Sequence, residues 1–73
     1  MGYIASTLSE LLTMRDFTRC IKRAEQNKGS KFGLHMIEKA KEHRTLLATL
    51  IPARELVLID AKIIMAEKLF EED

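Results

Sequence analysis

His35, Glu38, Glu42 and His43 crowd into one short stretch, and these are the residue types that ligate a metal or carry a proton. Their spacing decides against either role. A helical zinc pair needs two histidines four residues apart, so that both project from one face. His43 instead stands eight residues after His35 and directly beside Glu42, leaving only His35, Glu38 and Glu42 on a common face. The expectation is a packed His43, a solvated His35 and no metal.

Cys20 is the only cysteine, flanked by Arg19, Lys22 and Arg23, cations that favour a thiolate. It has no neighbouring base, and small cysteines are commonly packed, so a structural role is expected. The chain contains no Gly-rich phosphate loop, no G-x-S-x-G and no Cys-x-x-Cys. No cofactor is implied. Three helices also leave little room for a substrate cavity, which makes an enzyme the least expected class.

Charge offers more. Arg15, Arg19 and Lys22 follow one another at steps of four and three, forming a basic row on one helix, opposite Met14, Phe17, Ile21 and Ala24. Arg23, Lys39 and Arg44 extend it, making a candidate partner-binding face for nucleic-acid phosphates or an acidic protein. A solvated helix face is the plainer reading. The net charge is only +1, yet residues 15–44 hold nine basic against four acidic side chains, and residues 45–73 three basic against six acidic. The middle is basic and the tail acidic.

These side chains must be held by helices. Hydrophobic residues make up 47% of the 73-residue chain and charged residues 32%, leaving little for loops. Ile4, Leu8, Leu11, Met14, Phe17, Ile21 and Ala24 recur at helical spacing, with Ser6 or Ser9 as candidate caps and Gly29 as the stop. The stripe drifts at its start, so Ile4 and Leu8 could form a separate turn. Ser30 can cap a second helix whose stripe is Phe32, Met36, Ala40, His43, Leu47 and Leu50, flanked by Leu34, Ile37, Leu46 and Ile51. Gly33 weakens its first turn by about 1 kcal/mol relative to alanine. Pro52 stops that helix near Leu50 and can occupy the first position of a third. There Leu56, Ile59, Ile63, Ala66 and Phe70 form a heptad-like seam, with Val57 and Ile64 to one side and Leu58, Met65 and Leu69 to the other.

A helix apolar nearly all round is usually buried by more than one neighbour. A single core of this size supplies only about 3 to 5 kcal/mol, and a lone cysteine cannot form an intrachain disulfide. The reading is therefore one all-α domain over residues 1–73, a small three-helix unit forming a helical-bundle homodimer. The seam residues Leu56, Ile59, Ile63, Ala66 and Phe70 are its expected dimer interface. The expected function is that of a small regulator or adaptor acting by protein–protein binding, with a nucleic-acid-binding regulator as the alternative. The longest uncharged stretches, 1–9 and 45–53, fall far short of the roughly 20 residues that span a bilayer. No secretory signal is evident, so a soluble, cytoplasmic protein is expected.

Overall fold

The computed structural model describes residues 2–71 and, among them, three helices and no strand. Helix α1 spans Gly2–Gln26, α2 Lys31–Leu47 and α3 Ala53–Lys68. The first helix is continuous and starts ahead of both Ser6 and Ser9, so neither serine caps it and no separate turn precedes it. The side chains of Ile4 and Ser6 lie outside the described residues, as do Glu72 and Asp73.

The link from α1 to α2 follows from local chemistry. Asn27 donates its side-chain amide to the Arg23 carbonyl at 2.7 Å, satisfying one of the acceptors left free at a helix end. Gly29 then takes φ +86°, a conformation open to glycine and strained for residues with a Cβ. Ser30 Oγ accepts from the Gly33 N–H at 3.0 Å and donates to the Asn27 carbonyl at 2.7 Å, so one hydroxyl starts α2 and ties it to the end of α1.

At the second link, α2 ends at Leu47 rather than Leu50. Residues 48–51 tighten into a turn in which Thr49 and Leu50 donate three residues back, to Leu46 and Leu47. Pro52 sits one position earlier than expected, at the cap of α3 with extended backbone (φ −67°, ψ 154°). Its carbonyl accepts the N–H groups of Glu55 and Leu56.

Packing is uneven. Helix α1 lies along much of α2 but meets α3 at few places. The core consists of Phe17, Ile21 and Ala24 from α1, Ile37, Ala40 and Leu47 from α2, Ile51, and Ile59, Ile63 and Ala66 from α3. Phe17 and Leu47 are its largest fully buried side chains, each worth about 1.5 to 3 kcal/mol of transfer free energy. On α2 the buried stripe is turned from the expected one toward Gly33 and Ile37, with Ile51 buried in the turn that follows, because this helix packs on α1 and α3 together. Phe32 is left exposed, and Met36, His43 and Leu50 half-buried.

Helix α1 also outreaches its partners. Its 25 residues extend about 37 Å, against about 25 Å for the 17 of α2, at 1.5 Å per residue. Among the described side chains of α1, which begin at Leu8, the first to be fully buried is Phe17, and Leu8, Leu11 and Leu12 stand in solvent despite their place on or beside the expected stripe. The longest dimension of the molecule, 49 Å, reflects this overhang.

Candidate interaction surfaces

The expected basic row divides. Arg15, Arg19, Lys22 and Arg23 are exposed on α1, and only Arg15 among them forms an ion pair with a described residue, a loose 3.5 Å contact to Asp16. Lys39 pairs with Glu42 at 3.6 Å on its own helix. Arg44 has a different role. Its guanidinium grips Asp60 with both arms, Nε to Oδ1 at 2.8 Å and NH2 to Oδ2 at 3.1 Å, clamping α2 to α3. Those hydrogen bonds hold the Asp60 carboxyl below the usual carboxylate range and raise Arg44 further above its already high value. Arg44 therefore serves the fold and is committed within the chain.

Cys20 is half-buried and packs against the core. Burial and the Asp16 carboxylate push its thiol up, outweighing the opposing charges of Arg23, Lys39 and Arg19. The cations that suggested activation are close enough to act and still do not produce a ready thiolate.

His43 Nδ1 donates to the Lys39 carbonyl at 2.7 Å from a half-buried position, while His35 is exposed. Among the described residues no three histidine, cysteine or acidic side chains are grouped to hold a metal. His35 borders a groove of about 670 Å³ between the start of α2 and the end of α3, lined also by Leu34, Glu38, Lys41, Glu67 and Phe70. The groove's charges are matched internally: Lys41 Nζ bridges Glu67 at 2.8 Å and Glu38 at 3.7 Å.

The apolar seam of α3 is placed differently from its expected role. Ile59, Ile63 and Ala66 are buried in the chain's own core, with Leu56 and Phe70 packed at its edge. Ile59, Ile63 and Ala66 are thus taken up by the chain's own core, while Leu56 and Phe70 are half-buried. The opposite face of α3 remains uncovered: Val57 is 64% exposed, Leu58 66%, Ile64 52% and Met65 67%. With Ala61 they follow the spacing i, i+1, i+4, i+7, i+8, a second apolar stripe on the same helix.

Where α1 and α3 meet so little, two adjoining recesses sharing Lys62 and Met65 make up an open channel along the edge of the uncovered face. Its upper part, about 340 Å³, is lined by Met14, Leu58, Ala61 and Met65, with Glu55 at the end. Its lower part, about 350 Å³, has Ile21 and Met65 below, with Lys22 and Glu25 on the α1 rim. Lys62 borders both. Neither Lys22 nor Lys62 forms an ion pair with a described residue. Sequence reasoning identified Leu58 and Met65 as lying off the seam; it missed the channel, which depends on how far α1 and α3 splay.

No helix among the described residues is long and apolar enough to cross a membrane. Searches against protein families, curated proteins and solved structures find no match to this chain.

Proposed function

We propose that the protein is a small helical regulator or adaptor that acts by protein–protein binding and works as a homodimer joined through the uncovered apolar surface of α1 and α3. The observation carrying this reading is the balance of apolar side chains. Among the described residues the core holds seven large apolar side chains and three alanines, while ten large apolar side chains are exposed. Scattered exposed leucines need no explanation, but Leu58 and Met65 share a channel with Met14, and Leu11 lies one turn before Met14 on the same helix. A second copy is the fitting occupant, because a chain with so small a core gains most from association. Sedimentation equilibrium at tens of micromolar, enough to populate a dimer of roughly micromolar Kd, tests it.

A second reading, binding to nucleic acid, is favoured by one observation: Arg19, Lys22 and Arg23 are exposed without an ion pair among the described residues, beside Arg15. Neutralised phosphates release counterions, so affinity for a duplex probe should fall steeply with salt. The double change Arg15→Glu, Arg19→Glu should leave the melting temperature nearly unchanged, because exposed sites away from packing alter stability by about 0.5 kcal/mol or less. It should weaken probe binding and flatten its salt dependence. Absence of salt-sensitive binding by the unaltered protein excludes this reading.

A further inference from the structure

Helix α1 carries a second row of side chains on the side turned away from the core. Leu8 stands nine residues before Phe17, a net half turn round the helix at about 100° per residue, so it faces opposite to the buried stripe. From Leu8 the row runs through Leu12, Arg15, Arg19, Lys22 and Gln26, at steps of four, three, four, three and four, and all six are exposed. That alternation is the heptad spacing by which one helix packs along another. The first two positions are apolar, Leu8 56% and Leu12 43% exposed, and the next three are cationic. We infer that this row is the docking face for a helix of a different protein, one whose facing seam is apolar at one end and acidic at the other. The inference rests on the reading of the protein as an adaptor and names the chemistry of its partner.

Charge selects the occupant. Arg19 and Lys22 form no ion pair among the described residues, and Arg15 has only its loose contact with Asp16. The anions of α1 lie off the row: Asp16 and Glu25 are about 80° and 100° from its axis, on opposite sides, and Glu10 about 160° round. Three cations therefore stand within about 10 Å of helix length, at 1.5 Å per residue, with no anion among them. A second α1 does not fit. Laid parallel it sets cation against cation; laid antiparallel it sets Leu8 and Leu12 against Gln26 and Lys22, and Arg15 against Arg19. A nucleic-acid backbone answers the cations and leaves the two leucines without an apolar partner. A helix with leucines followed by carboxylates answers both. The dimer surface proposed above stays free, because Met14, which borders its recess, lies about 120° round α1 from the row.

Fluorescence anisotropy with labelled helical peptides and the full-length chain tests the docking face. The peptides have about 21 residues, three heptads, with leucine along one half of the seam and glutamate along the other. Both orders are used, since parallel and antiparallel seating each satisfy the row. Matching peptides carry lysine for glutamate; a labelled DNA duplex is titrated alongside, and co-sedimentation with vesicles of phosphatidylserine and phosphatidylcholine is measured. Saturable binding of at least one glutamate peptide at micromolar concentration is expected, with the lysine peptides, duplex and vesicles about tenfold weaker or more. Arg15→Glu combined with Arg19→Glu should weaken the glutamate peptide about tenfold or more, as attraction becomes repulsion, and confer binding of a lysine peptide. Leu12→Ser should also weaken the glutamate peptide, with circular dichroism unchanged. Failure of both glutamate peptides to bind, binding that survives the charge reversal, or tighter binding of duplex or vesicles overturns the inference. Sedimentation reads the dimer separately: a chain of dimer mass that binds neither peptide loses this docking face alone, and a monomer that binds one loses the dimer alone.

Discussion

Gly33 has a local cost that is legible in the sequence and a packing role that is not. A glycine in the first turn of α2 should loosen the helix, and alanine there should gain about 1 kcal/mol of helix propensity. Yet Gly33 is buried, and a Cβ on it would meet the Asn27 carbonyl and lie 2.5 Å from Phe70 Cζ. The Asn27 oxygen cannot retreat easily, because it accepts hydrogen bonds from Ser30 N and Ser30 Oγ. Gly33→Ala should therefore destabilise, by about 1 to 3 kcal/mol as an overpacked contact, seen as a lower urea midpoint. A midpoint equal to or above that of the parent would show that the ring and turn yield.

Arg44 and Asp60 lie sixteen residues apart, and nothing in their spacing reveals that they meet. The sequence places Arg44 in a basic face because sign and position are legible, while its partner depends on the α2–α3 turn. Asp60 has a depressed pKa, so its contribution is complete above the ordinary carboxylate range and disappears as pH falls through the folded value. Asp60→Asn should melt lower than the parent at neutral pH, and the gap should close progressively in acid below about pH 4, the usual aspartate pKa. A gap that persists unchanged through that window contradicts the assignment.

Helix boundaries were legible where side chains mark them. Gly29 and Ser30 announce the first turn because one suits a left-handed backbone and the other supplies a capping oxygen. Pro52 announces the second because it cannot continue a helix. Less visible was the end of α2, where the backbone of 48–51 tightens into a turn without a distinctive residue. Since Ser30 Oγ bonds at both ends of its turn, Ser30→Ala should cost about 0.5 to 2 kcal/mol in chemical unfolding, and Ser30→Thr or Ser30→Asp should retain more of it. Equal stability of the alanine variant would mean that solvent replaces the cap.

The heptad-like seam of α3 illustrates a limit that periodicity cannot remove. Spacing identifies Ile59, Ile63 and Ala66 as one face, but a face packs equally well on the same chain or on another. The structure turns that face inward. It also gives the residues beside the seam their significance, because Val57, Leu58, Ile64 and Met65 become the uncovered side of the helix.

At the scale of the whole molecule, the all-α class and the three-helix order follow from pattern, whereas the unequal packing of α1 on its two neighbours does not. That inequality generates both the overhang and the channel, and with them the proposed dimer. Its central claim is self-association through this surface, and sedimentation equilibrium of the parent chain beside Leu58→Glu tests it most directly. Leu58 is 66% exposed, so a charge there leaves the protomer's core intact while obstructing the channel. The account predicts twice the chain mass for the parent at tens of micromolar, a range that populates a roughly micromolar dimer, and a shift to the single-chain mass for Leu58→Glu with its helicity retained. A parent chain that sediments as a monomer throughout that range contradicts it.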